Sequence, residues 1–420
     1  MMGRTWFTGA LVLGALVFGA GRGAAQTPAP LALASLEARA IERHPAVREA
    51  SARLDEARAL ASQAGAWDNP SVGGGASELR RRESPSGTWG AFVEQTFSLG
   101  GKRSADRAAA GAEAALRQVE LDMATLRVRI GVRAAYLEVA AAAERLAVAE
   151  RLTTTAEETV VIAKQLVNVG LADKPDVLEA EAEVARHRAA VVAARSHQGA
   201  AWRRLAASVA DLTLVPQPID LPGGVPVLDR QRSLDEILSA SPEVKSADAI
   251  VARERAGVTV ETRRTFSDLT MRGEVGWNRE QFSSRAQAKG WEFGVEAGVT
   301  LPLFNRNRSG VIAARSAVTA AEAAAAGVRL EIEHRFATAF EEYEAARILA
   351  EALKTEVLPK LEEAYRLHRE GYQRMATPYP QVLMAQRMIA STTGEYVEAL
   401  EHAWQAAVRV QGLLLDKGAR

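Results

Sequence analysis

Alternating apolar and polar residues mark two neighbouring segments of the chain as β-strands. Every second residue from Trp291 to Leu301 is apolar, and the residues between them are Glu, Gly or Thr. The same period of two runs from Leu269 to Trp277, and a polar connection joins the segments. This pattern predicts a hairpin with one apolar and one polar face. Its length and its terminal aromatic residues suit a membrane barrel, although a flap on a soluble helical protein explains the hairpin equally well.

The first half of the chain carries a similar pair of segments. Residues alternate from Trp89 to Leu99, with Gln95 as the one polar residue on the apolar side. The glycine-rich stretch 71–78 is a weaker signal, and we predict a strand there chiefly because its counterpart in the second half is one. The sequence therefore predicts two hairpins with four strands in all.

Long helices are predicted for most of the remaining chain. An opening helix runs from about Ser35 to Ala66 and ends before Pro70. No proline interrupts the stretch from Ser104 to Val167, which is rich in strong helix formers, and some 65 residues make a rod of roughly 100 Å. A second rod runs from about Ser309 to Glu370, and we expect Pro359 to kink or break it. A tight turn and a returning helix follow each rod.

The chain contains a tandem repeat. Pro175–Ala180 resembles Pro380–Ala385, about 205 residues later, and other short matches share nearly this offset. We predict a first repeat over residues 26–230 and a second over residues 231–420, each with a helix, a hairpin and a long helical hairpin. The proline-rich stretch 216–226 separates the two copies.

Composition narrows the class of protein. Residues 1–25 have the form of a secretory signal peptide, and no later run of about eighteen apolar residues predicts a spanning helix. Cysteine is absent, and 52 basic residues balance 52 acidic ones, so no net charge attracts nucleic acid. The histidines have no ligand spacing, and no nucleotide-binding or catalytic motif occurs. We expect no enzyme, no metal site and no cofactor.

Four strands cannot close a membrane barrel, because the smallest single-chain barrels have eight. Open strand edges cannot remain in lipid, since each unpaired backbone group costs several kcal/mol there. The chain must therefore oligomerise, and rods of this length must pack against the rods of other copies.

The order of elements, the tandem repeat, the turns at Gly170–Ala180 and 371–387, and the segment Leu301–Asn307 resemble the TolC-type outer membrane efflux family. Within it, the Leu-Pro-Leu-Phe-Asn-Arg-Asn segment and the compact length look most like the outer membrane component of cobalt-zinc-cadmium efflux systems. The resemblance implies a mainly α protomer with a small membrane β part. Three protomers would form a twelve-stranded β-barrel in the outer membrane of a Gram-negative bacterium, continued by a periplasmic α-helical barrel.

The resemblance also implies partners and a passive role. A homotrimer would work with a periplasmic adaptor and an inner-membrane pump of the resistance-nodulation-division (RND) type, with outer membrane lipid around the barrel. The same fold also serves multidrug efflux or type I protein secretion. A soluble periplasmic adaptor or coiled-coil scaffold is a further alternative, which explains the rods but not the amphipathic hairpins.

The two interhelical turns form the periplasmic end of such a tunnel, where a gate must lie. In the first turn we expect Gly170 to adopt a left-handed conformation, with Asp173 and Asp176 at the start of the returning helix. In a trimer these aspartates would form two rings of three carboxylates. They either help to set cation passage and gating or simply cap the helix.

The second turn departs from the first because Met375 stands where the repeat places Gly170. A left-handed turn costs energy at methionine, so we expect a different geometry there. Tyr372, Arg374 and Tyr379 are candidate partners of the first turn's aspartates, with solvated turn residues as the alternative.

Overall fold

A computed structural model describes residues 31–77, 87–219, 224–278, 281–283, 286–287 and 290–415. The predicted signal peptide, residues 1–25, lies outside these ranges. The helices of the described chain are α1 (Leu33–Arg43), α2 (Pro45–Ala64), α3 (Lys102–Asn168), α4 (Lys174–Ser208), α5 (Arg230–Ala240), α6 (Pro242–Arg263), α7 (Arg308–Ala352), α8 (Leu358–Gln373) and α9 (Tyr379–Gln411). The strands are β1 (Ser71–Ser77), β2 (Thr88–Phe97), β3 (Leu269–Asn278), β4 (Gln281–Ser283), β5 (Ala286–Gln287) and β6 (Gly290–Val299).

Four strands form one antiparallel sheet in the order β1-β2-β3-β6. The two predicted hairpins are joined side by side through β2 and β3, where Trp89 lies opposite Trp277. Trp277 in turn lies opposite Trp291 of β6, so aromatic residues form one row across three strands. The short strands β4 and β5 pair with each other. Strands β1 and β6 are therefore the two edges of the sheet.

The sheet has an apolar and a polar face, as the alternation predicted. The apolar side chains are widely exposed in the protomer: Val72 is 80% exposed, Phe293 79% and Val295 82%. A continuous apolar face of this kind marks a surface that meets lipid or another protein. Gln95, the exception on this face, donates its side-chain amide to the Asp68 carbonyl oxygen at 2.8 Å and so satisfies its polar group locally.

The predicted opening helix, Ser35 to Ala66, is wrong in one respect, because the structure divides it into α1 and α2 at His44. Pro45 lacks an N–H group and drives the preceding residue out of the helical region, and His44 is extended, with φ −67° and ψ 128°. The His44 side chain accepts a hydrogen bond from the Ala46 N–H at 3.2 Å and caps the second helix. Ser241 and Pro242 repeat this break between α5 and α6.

The two rods have the predicted extent. In the second rod, one helical turn next to Pro359 is wider than an α-helical turn. Helix α3 runs unbroken for 67 residues. Helices α7 and α8 are continuous through a π-helical turn at Leu353–Val357, immediately before Pro359. Proline removes one intrahelical hydrogen bond and crowds the carbonyl group of the preceding turn, and a wider turn relieves that crowding.

The second rod contains a long, predominantly apolar stretch. Within Arg308–Gln373 an 18-residue window reaches a mean hydropathy of 1.3, which is enough, by length and composition, for a membrane span. Alanine supplies most of this apolar character in α7. Only 11% of the window is buried in the protomer.

Equivalent tyrosines anchor the start of each repeat. The Tyr136 hydroxyl on α3 donates to the Leu31 carbonyl oxygen at 3.2 Å. On the second rod the Tyr343 hydroxyl donates to the Pro226 carbonyl oxygen and accepts a hydrogen bond from the Leu228 N–H at 3.1 Å. Each tyrosine lies in an apolar core in which a rod, its returning helix and the first helix of the repeat meet. These two cores hold the middle of the rods together.

Candidate functional site

The first interhelical turn has the predicted left-handed glycine. Gly170 has φ +74°. The Leu171 N–H donates to the Leu166 carbonyl oxygen at 2.8 Å, and the Gly170 N–H donates to the Val167 carbonyl oxygen at 3.0 Å. This pair of hydrogen bonds is the Schellman motif, which satisfies the last carbonyl groups of a helix. It fixes the direction in which the chain leaves α3.

The second turn has the same geometry, and the expectation that Met375 would change it is wrong. Met375 has φ +59°. The Ala376 N–H donates to the Gly371 carbonyl oxygen at 2.8 Å, and the Met375 N–H donates to the Tyr372 carbonyl oxygen at 3.0 Å. A left-handed residue with a side chain costs about 1–2 kcal/mol. The hydrogen bonds that end the helix offset this cost, so the backbone of the repeat is kept without glycine.

One predicted contact joins the two turns. The Tyr372 hydroxyl at the end of α8 donates to an Asp176 carboxylate oxygen in the first turn of α4, at 3.5 Å. This hydrogen bond is long, and it links the helical hairpin of the first repeat to that of the second. Partial burial raises the pKa of Asp176, and the nearby carboxylates of Asp173 and Glu179 raise it further. Burial raises the pKa of Tyr372 to about 12, and the charge of Asp176 adds to this rise.

Asp173 does not act as a side-chain cap. It occupies the N-cap position of α4 and is exposed, yet its carboxylate accepts no capping hydrogen bond. Pro175 follows in the first turn of the helix, as predicted. A side-chain capping hydrogen bond therefore does not account for Asp173, whose exposed carboxylate lies at the N-terminus of α4.

Two of the candidate partners do not reach the aspartates. The side chain of Arg374 is exposed and makes no ion pair with any residue that the structure describes. Tyr379 is 1% exposed, and its hydroxyl has no hydrogen-bond partner among the described residues. The structure thus joins Tyr372 to Asp176 by a hydrogen bond. Among the described residues, Arg374 makes no ion pair with Asp173 or Asp176, and Tyr379 lies near Asp176 without a hydrogen bond to it.

Three polar contacts between the hairpins were not predicted. The buried carboxylate of Glu183 on α4 accepts a hydrogen bond from the guanidinium Nε of Arg387 on α9 at 2.6 Å. At a similar distance from the turns, the Thr159 and Tyr365 hydroxyls lie 3.3 Å apart, and an Arg369–Glu158 ion pair spans 3.1 Å. The positions of Glu183 and Arg387 differ by about one repeat, so charged residues of opposite sign at matching positions are a signal that could have found this pair.

Charged side chains also line the polar face of the sheet. Glu94, Arg272 and Glu296 lie in one row across β2, β3 and β6. The Arg272 guanidinium lies over the Phe92 ring, 3.9 Å from its centroid, and 3.8 Å from a carboxylate oxygen of Glu274. Carboxylates outnumber guanidinium groups on this face. In the part of the chain that the structure describes, no group of three or more His, Asp or Glu side chains is placed to hold a metal ion.

Comparisons with known proteins agree with this architecture. The profile of the family described as "Outer membrane efflux protein" matches residues 36–211 and 233–414, which lie in the two repeats. The cobalt-zinc-cadmium resistance protein CzcC of Cupriavidus metallidurans is 28% identical over 76% of this chain and 75% of its own length. The nickel-cobalt-cadmium resistance protein NccC of Alcaligenes xylosoxydans xylosoxydans is 30% identical over 68% of this chain and 64% of its own length.

Among solved structures, the outer membrane protein VceC of Vibrio cholerae has the same fold. Its TM-score is 0.72 at 20% identity, with 91% of this chain and 95% of VceC covered. The sequence profile, the curated relatives and the fold therefore point to a channel of the efflux type rather than to an enzyme. With both repeats matched, the chain belongs to the outer membrane efflux protein family.

Proposed function

We propose that this chain forms a homotrimeric exit duct across the outer membrane and the periplasm. The observation that carries the proposal is the four-stranded sheet, which has an exposed apolar face, a charged opposite face and two open edges. Edge β6 of one protomer would pair with edge β1 of the next, so that three sheets close a barrel with the apolar face toward lipid. The rods of about 100 Å would continue the barrel as a periplasmic tunnel.

We infer that the end of the rods is the gate of this duct. The Tyr372–Asp176 hydrogen bond and the Glu183–Arg387 pair hold the two hairpins of one protomer together. Opening requires the hairpins to separate, and each contact that spans them favours the closed state. In a trimer, Asp173 and Asp176 would form rings of carboxylates at the entrance, which favour the passage of cations. Gly170 and the left-handed Met375 set the shape of the two turns.

Heavy-metal cations are the cargo we propose. The curated relatives are named for resistance to cobalt, zinc, cadmium and nickel, and they match most of this chain. The carboxylates on the polar face of the sheet suit a path for cations. A periplasmic adaptor and an inner-membrane RND pump would supply the cargo and the energy. Multidrug efflux is the second candidate, because the TolC-type fold that the sequence resembles also serves that role; type I protein secretion is a more distant one.

Growth of a deletion strain tests the cargo. We expect the strain to lose tolerance to one or more of zinc, cadmium, cobalt and nickel, and the restored gene to return it. Unchanged metal tolerance together with new sensitivity to drugs or detergents would contradict the metal assignment and support multidrug efflux. A strain that keeps its tolerance to metals and to drugs would contradict both proposed cargoes.

A matched pair of glycine variants tests whether the sheet carries the function. Gly90 and Gly273 lie on neighbouring inner strands. A methyl group on Gly90 would come within 2.5 Å of the Val275 carbonyl oxygen, whereas at Gly273 the nearest atom is a Val93 methyl group at 4.0 Å. We expect Gly90→Ala to abolish complementation and heat-stable trimers on gels, and Gly273→Ala to retain both. If the two variants had equal complementation and equal yields of heat-stable trimers, the proposed role of the sheet in closing the barrel would be contradicted.

A further inference from the structure

Three polar side chains in the core of the tip have no hydrogen-bond partner among the described residues. They are the Tyr379 hydroxyl and the Gln386 amide nitrogen on α9, and the His187 Nε2 atom on α4. All three residues are more than nine-tenths buried. Tyr379 and Gln386 are seven residues apart and share one face of α9. His187 follows Glu183 by one helical turn and lies near its carboxylate.

Tyr379 is the most enclosed of the three. Its ring lies in an apolar cluster contributed by α3, α4, α8 and α9. The Tyr372 ring is its aromatic neighbour, with 5.6 Å between the ring centroids. Burial raises the pKa of Tyr379 above its ordinary value, and the charges of Glu183 and Glu179 raise it further. The hydroxyl therefore stays neutral at physiological pH, and it has no hydrogen-bond partner among the described residues although the carboxylates of Glu183, Glu179 and Asp176 lie near enough to influence it.

The two neighbouring tyrosines thus differ in a way that matters for opening. The Tyr372 hydroxyl gains a hydrogen bond to Asp176 when the hairpins are together. The Tyr379 hydroxyl is shielded from water in this arrangement of the hairpins and makes no hydrogen bond with any described residue. A buried polar group without a partner disfavours the state in which it is buried, because water satisfies it in the alternative state.

We propose that Tyr379 is a gating residue that biases the tip toward opening, by leaving a hydroxyl group unsatisfied only while the hairpins are closed. The inference rests on the gate proposed above. Tyr372 and Tyr379 then act in opposite directions: the first holds the hairpins together, and the second limits how firmly they are held. Gln386 acts in the same direction as Tyr379. The closed tip is accordingly stable enough to seal the duct and weak enough for an adaptor to open.

Two matched substitutions test this inference, because each removes one hydroxyl from one of two adjacent rings. Trimers carrying Tyr372→Phe, Tyr379→Phe or both are recorded as single channels in planar bilayers in potassium chloride. We expect Tyr372→Phe to raise the fraction of time spent open by about twofold, the low end of the range for one hydrogen bond, because the Tyr372–Asp176 contact is long. Tyr379→Phe, added to Tyr372→Phe, is expected to lower that fraction again by about five- to tenfold.

The sign of the second effect decides the question. A purely structural role for the Tyr379 hydroxyl predicts no change or more opening on substitution, and either result would overturn the inference. Gln386→Leu, which removes a second unsatisfied group at similar volume, is expected to act in the same direction as Tyr379→Phe. If Tyr372→Phe itself left opening unchanged, the gate proposed for this tip would fail. Opening by Tyr372→Phe without closure by Tyr379→Phe would refute only the present inference.

Discussion

The two interhelical turns have the same backbone and different chemistry. Both end a rod with a Schellman motif, one at Gly170 and one at Met375. Downstream of them, the first repeat places Asp173 and Asp176 at the start of its returning helix, whereas the second begins that helix at Tyr379, after Pro378. The first turn thus contributes carboxylates and the second contributes phenol groups.

This difference shows which part of a duplicated element is constrained. Hydrogen bonds at the helix end hold the turn in one conformation even where methionine makes it costly. The side chains around the turn differ between the two copies without changing the backbone path. The two hairpins are complementary there, because a donor on the second, Tyr372, meets an acceptor on the first, Asp176.

The largest effect on this complementarity is expected from Arg387→Ala. Arg387 and Arg186 both contact the Glu183 carboxylate, but only Arg387 belongs to the other hairpin. Removing a hydrogen bond to a buried charged group costs about 1.5–3 kcal/mol. We expect Arg387→Ala to open the tip, measured as single-channel open time and as entry of a large antibiotic into cells. Arg186→Ala is the control, and equal opening by both variants would show that the contact between hairpins is not what closes the tip.

Exchanging the residues at the left-handed positions tests whether the two turns are equally constrained. Met375→Gly removes a left-handed strain of about 1–2 kcal/mol, and Gly170→Ala introduces a similar strain. Met375 is 47% exposed, so little packing is lost with its side chain. We expect thermal unfolding of purified trimers to shift upward for Met375→Gly and downward for Gly170→Ala. Shifts of the same sign would mean that the two turns are not energetically equivalent.

The pH dependence of opening separates the contribution of the first turn's carboxylates from that of the second turn's tyrosine hydroxyls. The pKa of Asp176 is raised in the closed tip, and we expect it to return toward its ordinary value when the tip opens and the group is hydrated. Protonation is therefore favoured in the closed state, so that state gains stability below the ordinary pKa and loses it as pH rises through the raised one. We expect open time to fall as pH drops from 7 toward 4.

The same titration with Asp176→Asn is the control, because asparagine does not ionise. A pH response that persists unchanged in this variant would assign it to other groups, of which Asp173 and Glu179 are the nearest carboxylates that influence Asp176.

The smallest effect is expected from Asp173→Asn. The side chain is exposed and has no capping role, so its removal leaves the fold intact. Three carboxylates around an entrance attract cations only over about a Debye length, roughly 10 Å at 0.1 M salt. We expect a modest loss of cation preference in reversal potentials at low salt that disappears at high salt. A preference that is unchanged at low salt would remove Asp173 from the selectivity of the entrance.

The strands and rods were readable from the sequence because each follows from a simple period. Alternation fixed the faces of β2, β3 and β6, and the absence of proline fixed the length of α3. The sequence shows Pro45, but the break between α1 and α2 at His44 was not predicted, because the apolar pattern continues through it. Proline controlled the backbone there, and it widened the second rod at Leu353–Val357 for the same reason.

The tip was only partly predictable. Glycine at position 170 has a direct conformational meaning, so its left-handed turn could be derived from the residue alone. The turn at Met375 could not be derived in this way. It depends on hydrogen bonds whose free energy exceeds the preference of methionine against a left-handed conformation. Glu183 and Arg387 look like solvated charges on long helices, and only the packing of α4 near α9 shows that the carboxylate is buried. Whether the Tyr372 or the Tyr379 hydroxyl finds an acceptor also depends on that packing.

The sheet has a consequence for how the protein reaches its working form. Exposure of its apolar face to water is unfavourable, and so is exposure of the unpaired backbone groups on edges β1 and β6 to lipid. A single copy is therefore disfavoured both in water and in lipid, and in the proposed trimer strand pairing between copies would accompany entry into the membrane. If three copies close the ring, mass action makes the trimer concentration follow the third power of the free protomer concentration. Where unassembled protomer predominates, modest under-expression should then remove ducts more steeply than it removes protein.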